Sequence, residues 1–496
     1  AKYLIVAAQA ADGYGDHTLA NGTVAVLQVV SDVNINQFGG LSGADSTDAI
    51  YAAINYGSNV VTCNSSQAFI INRKIVPLEN QTLDLNNSKL VMAAGVAFSS
   101  GDSMIELLNA NSHVVNFELD GNKSAVTHPI ITGTDLAGAI VRANNSSLSN
   151  GYIHHCMTNG AFSYGSNISN IQFQDLRIEY NNWVAMGNEV PTFGDANAED
   201  ITYKNIETLG NGLGGIYLAG GKNIIIDNVN TNDANRNYFY VGDAGTIAGG
   251  LINCKVSNSK LGCTNGSVNA VEIQGEIQTG ADTGNRLECD VSFSNVECAG
   301  NNSINALVVE GGAKLRYSNL TTTDGTFTIT DGEVEGARLK SSGAKGMGVS
   351  TKQRAILKDT EVVNYGTLAG SQAGVFLDTG SDGTVLDGLK VGADAGETGE
   401  HGVWGVGGLE GIEIKRFKDF TGSGSKFNNS TADLIKWDLD NNDFNRDLLQ
   451  QGTWTGKAVF LGGGYLWIDA TGDVRIQIGA TPPASDLSGV IVGTQH

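Results

Sequence analysis

One short phrase recurs along the chain and constrains its fold more than any other feature. Ile201-Thr-Tyr-Lys-Asn-Ile206 returns as Ile224-Ile-Ile-Asp-Asn-Val229, as Val291-Ser-Phe-Ser-Asn-Val296 and as Leu315-Arg-Tyr-Ser-Asn-Leu320. Looser copies stand at Ile171-Gln-Phe-Gln-Asp-Leu176, Leu251-Ile-Asn-Cys-Lys-Val256, Ile356-Leu-Lys-Asp-Thr-Glu361 and Thr384-Val-Leu-Asp-Gly-Leu389. Each is a run of alternating residues that ends in a polar turn residue, usually Asn, followed by another apolar one. Counted between the final apolar residues, 206 to 229 is 23 residues, 229 to 256 is 27 and 296 to 320 is 24. Self-similarity at ~20–50 residues marks a solenoid or another repeat array. Here the unit is strand and turn with almost no helix, so each copy is expected to form one coil of a parallel β-helix.

Composition fits that expectation. A coil must turn sharply several times, and Gly and Asn accept the φ > 0 conformations that corners need; the chain has 66 Gly. Pro removes a ladder donor from a strand paired on both sides, and only 5 are present. With 496 residues there is ample length for a core, and a solenoid need not split into globules.

Charge narrows the partners. The formal net charge is −22 and no Lys/Arg cluster stands out, which argues against nucleic acid and anionic membranes as ligands. No stretch is long enough to span a bilayer, and the apolar run in Ala1–Ala8 is too short for a signal sequence. Cysteines 63, 156, 254, 263, 289 and 298 have no compact zinc spacing and read as buried thiols in coil walls.

Residues 1–37 do not fit the phrase and are expected to form a separate attachment segment. In 38–110, Ser46, Thr47 or Asp48 is placed to cap a helix whose stripe is Ile50, Ala53 and Ile54, followed by the first coils. Residues 111–440 carry the main run of coils, with irregularity near 322–352. Residues 441–496 form a small terminal unit.

Two segments resemble a known family. Gly43-Ala-Asp45-Ser-Thr47-Asp48-Ala49-Ile50 is similar to the helix-preceding pattern in the amino-terminal cap of pectate-lyase-like β-helix proteins, bacteriophage tailspikes in particular, though shorter by a residue or two. Gly464-Tyr-Leu-Trp-Ile468 through Ile478, and Ala484 through Thr494, look like the terminal segment of many phage tail proteins. The resemblance implies an all-β fold: a right-handed parallel β-helix solenoid with a short N-terminal capping helix and a small C-terminal β domain. It also implies a homotrimer on a virion tail, joined to other tail proteins through the N-terminal segment and acting on a host surface polysaccharide.

Alternation along the second strand of each coil points Ile216/Leu218, Phe239/Val241 and Val271/Ile273 inward and their neighbours outward. In this alignment Tyr217, Tyr240 and Glu272 share one column, and Trp183 falls beside Tyr238. A row of exposed rings suits stacking on sugars and stands out on a soluble surface. Acids nearby are Glu179, Asp195, Asp233, Asp243, Glu272 and Glu276, of which Asp233, Asp243 and Glu272 are the candidate catalytic residues. Glycoside hydrolysis needs two carboxyl groups ~5–9.5 Å apart, which adjacent or next-adjacent coils supply. Arg236 is expected to pair with Asp233 or to bind an acidic sugar; with Trp183, Tyr217, Tyr238 and Tyr240 it makes the candidate substrate surface.

A polysaccharide lyase is the alternative chemistry, with His113, His128 or the pair His154-His155 as base. Alternation sends His154 and His155 to opposite faces, against joint metal ligation. Asp438-x-Asp440-x-Asn442 lacks the Gly and Glu of a calcium loop. No metal and no cofactor is expected. The remaining alternative is a non-enzymatic virion appendage or adhesin with the same fold.

Overall fold

The computed structural model describes residues 2–6, 11, 16–28, 32–96, 102–124, 137–165, 167–189, 198–233, 235–240, 250–264, 269–275, 288–299, 305–341, 347–363, 373–392, 401–406, 409, 411–419, 425–429, 435–437, 459–460, 464–468, 473–478 and 490–494. Contacts divide the chain into two compact units, Ala1–Lys314 and Leu315–His496.

The recurring phrase is a strand bent at one left-handed residue. In Glu199–Leu209, Asn205 has φ 53°. Before it Ile201 and Tyr203 point inward; after it Ile206 and Thr208 do. The left-handed residue shifts the inward parity by one and turns a corner, so both flanks of a single strand feed the core. Asn tolerates this backbone because its short side chain bonds locally, whereas other L-residues pay ~1–2 kcal/mol. Asn116, Asn150, Asp175, Asn228, Asn258 and Asn295 hold the same conformation in neighbouring coils.

Parallel pairing stacks these corners. Val114, Leu148, Phe173, Tyr203, Ile226, Val256 and Phe293 lie in one inward column, and the Phe173 and Tyr203 rings stack with centroids 5.0 Å apart. At the corner the amides form columns of their own. Asn150 Nδ2 donates to Asn116 Oδ1 at 2.6 Å, Asn205 to Asp175 at 2.7 Å and Asn228 to Asn205 at 2.9 Å.

Three copies of the phrase sit in a different register from their spelling; in Ile356–Glu361 the left-handed residue is Asp359, and Leu357 and Thr360 point inward. Val256 pairs with Ile226, not Val229; the corner is Asn258, and Ser259 stands where the phrase has its final apolar residue. Its hydroxyl accepts the Val229 N–H at 3.0 Å. In the copy beginning at Leu315 the left-handed residue is Tyr317 rather than Asn319.

Among the described residues, eight short strands complete the coils of the first unit: Ser103–Leu107, Ala137–Val141, Ala161–Tyr164, Val184–Glu189, Gly214–Ala219, Asn237–Tyr240, Val271–Gln274 and Asn305–Glu310, each parallel to the next. At the front, helix Thr47–Asn55 buries Ala49, Ile50, Ala53 and Ile54. Its cap differs from expectation: Ser46 makes no side-chain cap, and Asp45 Oδ1 takes the Thr47 N–H at 3.1 Å. A three-stranded antiparallel sheet, Lys2–Val6, His17–Thr18 and Val24–Gln28, precedes it.

The second unit repeats the parallel pairing, for example Phe327↔Val349 and Val375↔Val403. It also contains a four-stranded antiparallel sheet, Val459–Phe460, Gly464–Ile468, Asp473–Ile478 and Val490–Thr494. Asp438, Asp440 and Asn442 lie outside the described residues. All six cysteines are free and buried.

The corner makes a stability prediction. Asn228→Ala loses the left-handed preference and one hydrogen bond, ~2 kcal/mol together, whereas Asn228→Gly keeps the backbone freedom and costs ~1 kcal/mol. Guanidinium unfolding of the two variants checks this, and equal losses would refute the backbone part.

Candidate functional site

The face expected to carry chemistry is rearranged by its register. Gly187, Tyr217, Tyr238, Glu272 and Val308 form the outward column. Tyr240 lies two residues further along, between Ala219 and Gln274, so it does not share the column of Tyr217. The reason is Asn237, whose side chain occupies an inward slot opposite Ile216 and donates to the carbonyls of Gly262 and Ala270 at 3.3 and 3.0 Å. Trp183 is not beside Tyr238 either; it precedes the strand Val184–Glu189 and its carbonyl accepts from Leu213.

The acids separate. Asp233 has 0% exposure and lies inside the coil, where Thr208 and Asn211 bond its two oxygens. Its strand points Val229, Thr231 and Asp233 inward together, so substrate has no route to it and Arg236 cannot pair with it. Arg236 instead grips Glu272, which is 4% exposed, and lies over the Tyr238 ring at 5.0 Å. Asp243, Asp195, Glu276 and His128 lie outside the described residues, as does the side chain of Tyr240.

A denser cluster stands on the long strands. Two and four residues beyond each corner, side chains point outward, giving two adjacent columns. The first runs Lys89, Glu118, Tyr152, Arg177, Glu207; the second runs Asp120, His154, Glu179. Glu118, Tyr152, Arg177 and Glu207 line an open cleft of about 640 Å³. Beneath it the ring of Phe117 fills the space over Gly151, where any Cβ would sit 2.2 Å from a ring carbon.

The polar groups of the cluster are mutually engaged. Glu179, buried, accepts from the Tyr152 hydroxyl at 2.9 Å and from Arg177 Nε at 2.6 Å. Burial and then the Glu179 carboxylate push the Tyr152 phenol up to about 12, so it keeps its proton. Glu118 Oε1 meets Lys89 Nζ at 3.0 Å and His154 Nε2 at 3.1 Å. The Tyr152 ring stacks on His154 with centroids 4.3 Å apart.

His154 and His155 do not point apart. His155 has φ 53°, a left-handed residue at the next corner, and the break in alternation brings its Nδ1 to 2.7 Å from that of His154. The Tyr180 ring stacks on its far side at 6.0 Å. The donor order follows from the ends of this chain. A carboxylate only accepts, so His154 Nε2 carries a proton toward Glu118; with one proton on each ring, His154 Nδ1 then accepts from His155 Nδ1–H. That leaves a lone pair on His155 Nε2, in a side chain 46% exposed.

Glu179 and the histidine pair were readable as candidates in the sequence; Glu118, Asp120, Tyr152 and Arg177 were not singled out. Their signal is positional: Asn116, Asn150 and Asp175 each precede a polar residue by two and another by four.

Burial raises the Asp233 carboxyl pKa, which generates a pH prediction. Between its unfolded and folded values the folded chain retains a proton that the unfolded chain has released, so stability falls as pH rises through that window. Asp233→Asn removes the penalty while keeping polar contacts to Thr208 and Asn211. Its thermal midpoint should exceed that of the parent at pH 7, with the advantage vanishing below pH ~4; a difference independent of pH would sink the argument.

No family model matches the chain, and no curated sequence matches it. Solved structures do. The catalytic unit of the GH87 alpha-1,3-glucanase from Streptomyces thermodiastaticus is 15% identical, over 75% of this chain and 73% of that one, with TM-score 0.52. The N-terminal fragment of bacteriophage Phi29 gene product 12 is 13% identical, over 81% and 72%, with TM-score 0.52. Bacteriophage CBA120 tailspike protein 3 is 11% identical, over 93% and 69%, with TM-score 0.43. What the two similarities at TM-score 0.52 establish is architecture: the chain shares the fold of the glucanase catalytic unit and of the Phi29 gene product 12 fragment, and its own strand pairing is that of a parallel β-helix.

Proposed function

We propose that the chain binds and depolymerises an acidic polysaccharide, acting at a host surface as a tailspike-type appendage. The observation that carries the reading is the hydrogen-bonded chain that starts at Glu118 in the wall of the cleft and runs through His154 to His155, whose side chain is 46% exposed. Such a carboxylate–imidazole chain holds a base in one tautomer and supports it when it takes a proton. Arg177, more than half exposed, supplies the positive charge that an acidic sugar's carboxylate needs.

These groups favour β-elimination over hydrolysis. His155 Nε2 removes the proton next to the uronate carboxylate, and that electron pair forms the new C=C bond. The glycosidic C–O bond breaks, and the leaving oxygen takes a proton from Tyr152, which water restores. Hydrolysis by Asp233 and Glu272 is disfavoured by their surroundings, one enclosed in the core and the other clamped by Arg236. The glucanase and phage proteins that share the fold fit a role on polysaccharides and on a virion. The same reading has residues 1–37 anchor the chain to tail proteins and the chain assemble as a homotrimer. Sedimentation equilibrium should then give three times 51.8 kDa, and a monomer mass would remove that part.

Incubation with mannuronate, galacturonate and glucuronate polymers separates the possibilities. Absorbance of unsaturated uronate should appear on one of them, and His155→Ala should slow it ~10²–10⁴-fold while Glu272→Gln leaves it unchanged. New reducing ends without that absorbance would mean hydrolysis. Binding with neither product would mean an adhesin.

A further inference from the structure

Asp120, which the relay does not use, faces both imidazoles of the corner. Its Oδ1 lies 3.8 Å from His154 Nδ1 and 3.9 Å from His155 Nδ1, and the two nitrogens are 2.7 Å apart. The point equidistant from these three atoms is ~2.1 Å from each, within the ~2.0–2.2 Å of Zn–N and Zn–O bonds. We propose that Asp120, His154 and His155 form a binding site for one divalent transition-metal ion of the zinc class, with a further coordination position open to solvent.

The surroundings favour that ion. His154 gives its other ring nitrogen to Glu118 at 3.1 Å, the carboxylate–histidine–metal arrangement that orients a ligand and raises its basicity. Asp120 Oδ1 is fixed by the Asn122 N–H at 3.0 Å, and its Oδ2 lies 3.7 Å from Lys89 Nζ. Two imidazoles and one carboxylate suit zinc-type ions rather than calcium or magnesium, which take oxygen cages. The six thiols are buried and do not compete. Binding replaces the single proton held between the two Nδ1 atoms, so one ion enters and about one proton leaves.

A consequence follows for the reaction, and it rests on the polysaccharide reading: with both Nδ1 atoms on the metal the proton relay is broken, so zinc inhibits cleavage. Binding itself does not depend on that reading.

Titration of the chelator-treated full chain with zinc chloride in a calorimeter, in two buffers of different ionisation enthalpy, tests the site. One ion per chain and release of about one proton are expected. His155→Ala, a half-exposed change at the surface, should abolish saturable binding, and Glu118→Gln should weaken it ~10–100-fold. Cobalt should give visible bands without a thiolate charge-transfer band. No saturable binding, or unchanged binding in His155→Ala, would overturn the site whatever the chain does to polysaccharide. Zinc binding of this kind without any cleavage would leave the site standing and remove the lyase reading.

Discussion

The left-handed corner residue and its stacked amide hold the rest of the structure in place. A strand alone sends alternate side chains to opposite faces. Inserting one residue with φ near 50° lets Ile201, Tyr203, Ile206 and Thr208 all face inward from a single continuous segment. Asn supplies that backbone at low cost, and its amide donates to the Asn or Asp of the coil before. Register is thereby fixed: a slip by one residue would break the amide column and turn the apolar set outward.

The same device arranges the cluster. Because parity resets at each corner, positions two and four beyond Asn116, Asn150 and Asp175 fall on the outer face, and coils ~4.8 Å apart bring them into columns. Glu118, Tyr152 and Arg177, separated by 34 and 25 residues in sequence, become neighbours in this way. His155 is where the corner itself carries chemistry. It takes the left-handed conformation that Asn usually holds, and so meets His154 instead of pointing away from it.

The fold was legible because its signal is local and repeated. Alternation, a corner residue and an apolar residue after it lie within six positions, so the phrase announces a coil wherever it is intact. Register was less legible where substitution hid the corner: Ser259 replaces the apolar residue, Tyr317 replaces Asn, and Asn237 takes an inward slot through hydrogen bonds. That last substitution moved Tyr240 off the column of Tyr217. The parity after Asn228, read correctly, would already have put Asp233 inside.

By itself the sequence determined the parallel β-helix, the helix at its front, a small β domain after it and the burial of the thiols, since each is marked by residues close together in the chain; the antiparallel pairing of that domain is seen only in the structure. Tertiary structure decided which acids are exposed and which basic groups meet them. Arg236 chooses Glu272 rather than Asp233, and Asp120 faces two histidines more than thirty residues away, because inter-coil register is a long-range property set by loop lengths. Spelling fixes what a coil is; only stacking fixes which side chains share its outer face.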